Sequence, residues 1–296
     1  MPENPTIALI GPGAIGTTVA AALHASGRTL TLCGRTAHAS LTLRADGGEV
    51  VVPGPVLTDP ATIEQPFDLV FLAVKSTQIP AAAAWLAACC GPKTVLCVLQ
   101  NGVEQQVLVA PYLSGGQVLP AVVWFPAQRE ADGAVWLRAP ARITLPDAPG
   151  TDLVQAALRG TWCAVEVAAD FTTVAWRKLI QNAATGLMVL TGRRKGMFSR
   201  ADIAALALAY LHECLAVARA EGATLSDDVP QEIVTSFQRA PADMGTSILA
   251  DREATLPLEW DTRNGIVQRR GRARGIATPI GDVIVPLLAA ASDGPG

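Results

Sequence analysis

The stretch TIALIGPGAIGTTVAAALHAS, residues 6–26, decides how the chain begins to fold. It opens with TIALI, an apolar run of residues that favour β-strands, and its Ala-rich remainder is long enough for a helix. Between the two segments, Gly11, Gly13 and Gly16 satisfy the spacing G-x-G-x-x-G. Backbone amides at the start of a helix that follows such a turn bind phosphate groups. The stretch therefore predicts a strand, a glycine-rich turn and a helix that together hold the phosphates of a nucleotide.

Each glycine of this turn has its own predicted task. Gly11 makes the tight turn, Gly13 lets a pyrophosphate approach the backbone, and Gly16 lets the helix pack closely on the strand. The amides of Ala14 and Ile15, at the helix start, are expected to face the phosphates. An ordinary glycine-rich turn without a ligand is the structural alternative.

The residues that follow repeat the alternation of strand and helix. Further apolar runs are TLTLC at 29–33, FDLVFLAV at 67–74 and TVLCVL at 94–99, with a helical stretch at 78–90. Near-continuous apolar strands are typical of a parallel sheet that is covered on both faces. We therefore predict a Rossmann-type, doubly wound α/β sheet. Residues 135–137 and 142–145 are expected to pair as a hairpin that closes this half.

After Asp170 the strand signal disappears and the pattern is helical. The predicted helices cover residues 171–190, 201–222, 230–239, 259–272 and 281–291. Ser199 fits an N-cap of the second of these helices. The predicted fold class is thus α/β, with an N-terminal Rossmann-type sheet at residues 1–168 and an all-helical C-terminal domain at 169–296.

Composition limits the partners and the compartment. The 296 residues carry 23 basic and 26 acidic side chains, a net charge of −3, so no basic face is expected for nucleic acid. Apolar stretches end before the roughly 20 residues that a membrane span requires, and the N-terminus lacks the lysines of a signal peptide. The six cysteines show neither C-x-x-C pairing nor His neighbours at zinc spacing. This pattern favours buried thiols, no metal and a cytoplasmic location.

The residues after the second predicted strand indicate which dinucleotide binds. An NAD-selective protein usually places Asp or Glu about 20 residues after the first glycine, against the ribose hydroxyls. This chain has Gly34-Arg35-Thr36 there. A guanidinium pairs bidentately with a phosphate, so Arg35 predicts NADPH/NADP⁺ rather than NAD(H). A solvated arginine on a loop is the structural alternative.

Several further motifs resemble the ketopantoate reductase (2-dehydropantoate 2-reductase) family, and the resemblance extends from Thr6 to Leu288. The motifs are GPGAIG at 11–16, Arg35, AVKSTQ at 73–78, QNGVE at 100–104, WRKLIQN at 176–182 and TSILADREATLPLEWDTRNG at 246–265. The resemblance implies a Rossmann domain followed by a helical domain, with the active site between them. It also implies an NADP-dependent oxidoreductase of pantothenate biosynthesis, which reduces a small 2-oxo acid, 2-dehydropantoate, to pantoate.

Two residues of the first half match positions that the family places beside the cofactor. Lys75 resembles the lysine next to the cofactor, and Asn101 resembles the asparagine near the nicotinamide and the substrate. Asn101 also follows a predicted strand, at the end where open α/β sheets bind ligands. An Asn-Gly turn is the structural alternative for Asn101.

The second half supplies residues that resemble the family's catalytic and substrate-binding positions. Lys178 resembles the general acid. In the family, further residues hold the substrate's carboxylate and hydroxyl and support the lysine. The positions that resemble them here are Asn182, Ser247 and Glu259. Lys178 and Asn182 are four residues apart on a predicted helix, so they share one face. Glu259, an acid at a helix start, is the expected partner of Lys178, and a surface salt bridge is the structural alternative.

Two departures from the family leave the substrate open. Gly186 stands where many members have another asparagine, one helical turn past Asn182, and Arg193-Arg194-Lys195 replace small polar residues. Gly186 predicts extra space and weaker binding of 2-dehydropantoate, so a reductase of a bulkier 2-oxo acid is one alternative. A non-catalytic NADP(H)-binding redox sensor is another, since a fold does not fix a function. A homodimer is compatible with the sequence.

Overall fold

The structure, a computed structural model, describes residues 5–294 and divides into two compact units between Phe171 and Thr172. The first unit contains the strands and the second is helical, so the predicted fold class is confirmed. The predicted domain boundary, after residue 168, falls at the end of the last strand of the first unit.

The elements of the first unit follow the predicted alternation of strand and helix. Its strands are β1 (Ile7–Ile10), β2 (Thr31–Cys33), β3 (Ser40–Ala45), β4 (Gly48–Pro53), β5 (Val56–Leu57), β6 (Leu69–Leu72), β7 (Val95–Val98), β8 (Gln117–Pro120), β9 (Val122–Val123), β10 (Ala127–Arg129), β11 (Val135–Leu137), β12 (Arg142–Pro146) and β13 (Ala164–Ala168). Its helices are α1 (Ala14–Ala25), α2 (Ala83–Cys89), α3 (Gln105–Val109) and α4 (Thr151–Leu158).

The main sheet has the strand order β5-β2-β1-β6-β7-β8, and every neighbouring pair is parallel. The strands β1, β6 and β7 are buried along their whole length, and Leu9 of β1 lies between Leu32 and Phe71 of its neighbours. Apolar side chains on both faces of a strand explain why its sequence is an apolar run. Because β1 lies between β2 and β6, the order of the strands reverses at β1. The carboxyl ends of the strands meet at one edge, where sheets of this kind bind ligands.

The predicted hairpin between residues 135–137 and 142–145 is wrong. The strand β11 pairs with β10 and with β3, so both of its edges are occupied, whereas β12 pairs with β9 and β13 in a different sheet. The hairpin that forms joins β10 to β11 through a turn in which Gly133 has a φ of 88°. Asp132-Gly133 is the sequence signal for this turn, because Asp-Gly suits the positive φ of a tight hairpin.

The second unit consists of helices around a core that includes Phe198 and Phe237, whose ring centroids are 4.9 Å apart. The helices are α5 (Phe171–Ala184), α6 (Gly186–Thr191), α7 (Ala201–Ala220), α8 (Val229–Arg239), α9 (Ser247–Glu253), α10 (Ile266–Ala273) and α11 (Pro279–Asp293). A 3₁₀ turn, Lys195–Ser199, precedes α7, and a π-helical turn, Asp261–Gly265, leads directly into α10.

Three expectations for the second unit need correction. The helix predicted over residues 171–190 divides at Thr185 into α5 and α6. Ser199 does not cap α7, because it closes the preceding 3₁₀ turn and the N-cap is Arg200. The short helix α9 is absent from the predicted helices, although Thr246 is a recognisable N-cap whose side chain accepts a hydrogen bond from a first-turn amide.

The cysteines and one face of the long helix α7 lie inside the two units. All six cysteines are buried thiols outside any disulfide, and burial raises the pKa of the Cys163 thiol to about 12. Within residues 5–294, no group of three or more His, Cys, Asp or Glu side chains is placed to hold a metal ion. The helix α7 is long and apolar enough to cross a membrane by length and composition alone. Tyr210, Leu211 and Cys214 of α7 are buried within the helical unit.

Candidate active site

The glycine-rich turn after β1 depends on close backbone packing. Gly11 has a φ of 91°, a left-handed conformation that favours glycine, and a Cβ there would lie 2.5 Å from Val74 Cγ1. At Gly16 a Cβ would overlap the Gly11 carbonyl oxygen and lie 3.0 Å from Leu9 Cδ2. The Gly11 amide donates to the Cys33 carbonyl, at the end of β2, at 2.9 Å. Packing around the turn therefore requires glycine at both positions.

Gly13 is suited to its position for a different reason. Its φ of −76° is open to any residue, and a Cβ there would meet nothing within 4 Å. Gly13 is the N-cap of α1, and among the described residues no side chain caps this helix. The first amides of a helix have no partners within the helix. Gly13 thus leaves open space beside the helix start that carries Ala14 and Ile15, an arrangement suited to a phosphate group.

Three other predicted cofactor residues lie at the same edge of the main sheet. Arg35 is exposed just after β2, Lys75 is half-buried after β6, and Asn101 is half-buried after β7. Lys75 precedes a 3₁₀ turn, and its amide donates to Gln78 Oε1 at 3.2 Å. The fold therefore places all three residues at the carboxyl edge with the glycine-rich turn, and for Asn101 this is the strand end that the sequence predicted.

Two buried glutamines hold the loop that carries Asn101. Gln100 Nε2 donates to the Val74 carbonyl at 2.8 Å, which connects this loop to the one that carries Lys75. Gln105 Nε2 donates to the carbonyls of Gln100 and Gly102, at 3.0 and 2.9 Å. A buried amide group that loses its hydrogen-bond partner raises the free energy of the folded protein. These bonds therefore favour one conformation of the loop.

Arg129, on β10, lies beside the glycine-rich turn although no motif indicates it. Its guanidinium donates to the carbonyls of Pro12 and Gly133, at 2.8 and 2.9 Å. Arg129 is exposed, so it adds a positive charge to the rim of the turn. Its position follows from the pairing of β10 with β11, which was not predicted from the sequence.

In the second unit, the helix α5 carries Lys178 and Asn182 on one face, and both side chains are half-buried. Asn264, from the π-helical turn, holds this helix near its C-terminal end. Its Nδ2 atom donates to the Ala183 carbonyl at 2.8 Å and to the Tyr210 hydroxyl at 3.0 Å. Single π-helical turns are frequent at functional sites, and this one is tied to the helix of the expected general acid.

Ser247 and Glu259 are brought together by Arg263, a residue to which the motifs assign no role. Arg263 Nη2 donates to Ser247 Oγ and to Glu259 Oε2, each at 3.1 Å. The side chains of Arg263 and Glu259 are only 3% and 5% exposed, so their opposite charges compensate each other in the interior of the unit. The i,i+4 spacing within LEWDTRNG is the signal that identifies the pair. The partnership of Glu259 with Lys178 stays a prediction.

The prediction of extra space at Gly186 is wrong. Gly186 is buried at the start of α6, and a Cβ there would lie 2.9 Å from Leu288 Cδ1 and 3.0 Å from Asn264 Nδ2. The volume of the missing side chain is therefore taken by these two neighbours. The Thr185 hydroxyl donates to the Asn182 carbonyl at 2.6 Å, so it serves the local backbone.

The segment Arg193-Arg194-Lys195 makes contacts within the second unit. Arg194 Nη2 lies 2.7 Å from Glu253 Oε1, on α9. The Lys195 amide donates to the Met244 carbonyl at 3.1 Å, and burial lowers the pKa of the Lys195 ammonium group. These contacts connect the basic segment to α9 and to the residues that lead into it.

Comparisons with known proteins match most of the chain. Residues 7–150 match the family described as Ketopantoate reductase PanE/ApbA, and residues 170–292 match Ketopantoate reductase PanE/ApbA C terminal. The chain is 55% identical to the 2-dehydropantoate 2-reductase of Mycobacterium tuberculosis H37Rv, over 98% of this chain and 99% of that relative. It is 37% identical to the 2-dehydropantoate 2-reductase of Caulobacter vibrioides, over 97% and 99%. A solved structure of dimeric ketopantoate reductase from Staphylococcus aureus has a TM-score of 0.88 and 27% identity, over 98% and 100%.

Alanine substitutions distinguish Gly13, which leaves space for a ligand, from Gly16, which is needed for packing. Gly16→Ala places a methyl group against the Gly11 carbonyl, so it should lower the free energy of unfolding by about 1–3 kcal/mol. Gly13→Ala meets no neighbouring atom, so it should lower the melting temperature much less than Gly16→Ala. It should nevertheless raise the Kd for NADPH about tenfold, because the methyl group obstructs the approach to the backbone. Thermal unfolding and titration calorimetry check both variants, and unchanged NADPH binding by Gly13→Ala would contradict the assignment.

Proposed function

Because this chain belongs to the ketopantoate reductase family, we propose that it reduces 2-dehydropantoate to pantoate with NADPH. The resemblance inferred from the motifs is confirmed, and with it the class of NADP-dependent oxidoreductases that act on a CH–OH group. The observation that carries the proposal is the 55% identity to a 2-dehydropantoate 2-reductase over 98% of the chain.

The residues of the first unit fit NADP(H). The amides at the start of α1, beside Gly13, would hold the pyrophosphate, and the exposed Arg35 would pair with the 2′-phosphate. Lys75 and Asn101 lie at the same sheet edge, and Arg129 adds a positive charge there. When bound, the cofactor supplies the hydride that reduces the substrate.

Lys178 is the proposed general acid. Reduction of a 2-oxo group converts a carbonyl into a hydroxyl, so the oxygen gains a proton as the carbon gains a hydride. An ammonium group donates this proton and stabilises the negative charge that develops on the oxygen. Lys178 is half-buried on α5, where partial removal from water strengthens its electrostatic effect on the substrate.

Uncharged donors are proposed to bind the substrate's carboxylate and hydroxyl. Asn182 lies one turn after Lys178 on the same face of α5, and Ser247 is exposed at the start of α9. Asn101 supplies a further amide from the first unit. Amide and hydroxyl groups donate hydrogen bonds to carboxylate and carbonyl oxygens. Glu259 is proposed to support Lys178.

Three residues of the second unit distinguish an enzyme from a redox sensor. A non-catalytic redox sensor has no need of Lys178, Asn182 and Glu259 together, so their presence favours an enzyme.

We further propose a homodimer in the cytoplasm. The similarity to a dimeric ketopantoate reductase from Staphylococcus aureus supports the dimer, and light scattering coupled to size-exclusion chromatography tests it.

Replacement of Arg35 tests the choice of cofactor. Arg35→Asp should reverse the preference from NADPH to NADH, because a carboxylate repels the 2′-phosphate and accepts bonds from the ribose hydroxyls. Its affinity for NADPH should fall about tenfold to a hundredfold. Lys93→Asp makes the same charge change at an exposed position before β7, on the opposite edge of the sheet, and is the control. Equal affinity of the unaltered protein for NADPH and NADH would disprove the role of Arg35.

Removal of Lys178 tests the general acid. Lys178→Ala should lower kcat by about 10²- to 10⁴-fold, the usual contribution of a positioned acid. The Kd for NADPH should stay nearly unchanged, because Lys178 lies in the second unit and the glycine-rich turn in the first. Lys93→Ala is the matched control. If purified Lys178→Ala keeps more than about a tenth of the original rate, the assignment is withdrawn.

The packing around Gly186 tests the choice of substrate. Because Leu288 and Asn264 fill the space, Gly186→Asn should lower the free energy of unfolding by about 1–3 kcal/mol without improving the KM for 2-dehydropantoate. The unaltered protein should have a higher kcat/KM for 2-dehydropantoate than for bulkier 2-oxo acids such as benzoylformate. A higher value for a bulkier acid would favour the alternative reductase. Steady-state loss of NADPH absorbance measures all of these rates.

A further inference from the structure

We propose that Arg263 is a positioning residue for the substrate's carboxylate and that it acts through Ser247. This inference rests on the proposed function, because it takes the substrate to be an anionic 2-oxo acid. The motifs assign Arg263 no role, yet its guanidinium connects two residues that the proposal places in the site.

The exposures of the two side chains set the order of contact. The Arg263 side chain is 3% exposed, whereas Ser247 is an exposed residue at the start of α9. A substrate that reaches the second unit from solvent therefore meets the Ser247 hydroxyl, and the Arg263 guanidinium stands behind it at 3.1 Å. Arg263 consequently acts on the substrate through the serine.

Hydrogen-bond chemistry decides whether the Ser247 hydroxyl donates to Arg263 or accepts from it. A hydroxyl has one donor and two acceptor sites, whereas a guanidinium has donors only. Ser247 Oγ must therefore accept from Arg263 Nη2, which leaves the hydroxyl hydrogen to donate elsewhere. A carboxylate accepts such a bond, and a charged donor behind the hydroxyl strengthens it.

The charge of Arg263 has a second consequence. Glu259 is buried and its carboxylate lies 3.1 Å from the same Nη2 atom. Without the guanidinium, this buried carboxylate would lose the charge that compensates it, which would destabilise the second unit. The planar guanidinium has several donors, so one side chain compensates the Glu259 carboxylate and also reaches Ser247.

One unsatisfied donor indicates that the guanidinium is not placed for stability alone. Arg263 Nε is buried and has no hydrogen-bond partner among residues 5–294. A buried N–H without a partner is destabilising, and a buried ion pair is often less stable than apolar side chains of similar volume. A positively charged group kept under these conditions is suited to acting on a negatively charged ligand.

A double-mutant cycle between Arg263 and Ser247 tests the inference. Arg263→Met should raise the KM for 2-dehydropantoate about tenfold to a hundredfold, with a smaller fall in kcat, because the bond is made before and during the reaction. In a Ser247→Ala background, the same change should raise KM by less than about threefold, because the two residues act as one unit. Titration calorimetry should give an unchanged Kd for NADPH in all four proteins.

Arg263→Lys keeps the test decisive if Arg263→Met does not fold. Its single ammonium group cannot reproduce the planar fork, so KM should rise at least about threefold, and this rise should disappear in the Ser247→Ala background. An unchanged KM in these variants, or an equal rise with and without Ser247, would overturn the inference and leave the proposed function standing. An unaltered protein that does not reduce 2-dehydropantoate would overturn the proposed function, and this inference with it.

Discussion

The first unit depends on one constraint, which is that two positions at the carboxyl edge of its parallel sheet have no room for a side chain. A side chain at Gly11 would meet Val74, and one at Gly16 would meet the Gly11 carbonyl, so β1, α1 and the loop after β6 pack only around glycine. This close packing aims the start of α1 at the open space beside Gly13. The packing of the sheet therefore leaves a place suited to a phosphate group, and Arg35 is proposed to add the choice between two dinucleotides.

The second unit is organised around one π-helical turn, Asp261–Gly265. Two consecutive residues of this turn reach different helices: Arg263 contacts Ser247 at the start of α9, and Asn264 contacts the Ala183 carbonyl on α5. The turn thus holds the helix of the proposed general acid and the helix of a proposed substrate ligand. Asn264 also fills the space beside Gly186, which explains why a glycine there leaves no cavity. Positions that look independent in sequence are coupled through this turn.

Features that depend on neighbouring residues were predictable from sequence, and features that depend on distant pairing were not. The glycine-rich turn, the apolar strands and the shared face of Lys178 and Asn182 follow from local periodicity. The hairpin of residues 135–145 failed because β3, far away in sequence, occupies an edge of β11. The space at Gly186 was misjudged because Leu288 comes from the last helix. Arg263 carried a local signal, its spacing from Glu259, but only the fold shows that Ser247 shares the same guanidinium.

Transfer of isotope from cofactor to product tests the central claim most directly. The unaltered protein is incubated with 2-dehydropantoate and NADPH that carries deuterium at the transferable C4 position, and the product is examined by mass spectrometry and proton NMR. Hydride transfer from cofactor to substrate predicts pantoate with a single deuterium at C2, formed in step with the loss of NADPH absorbance. Unlabelled pantoate, or no pantoate while the protein still binds NADPH, would contradict the claim that this chain is a ketopantoate-reducing enzyme.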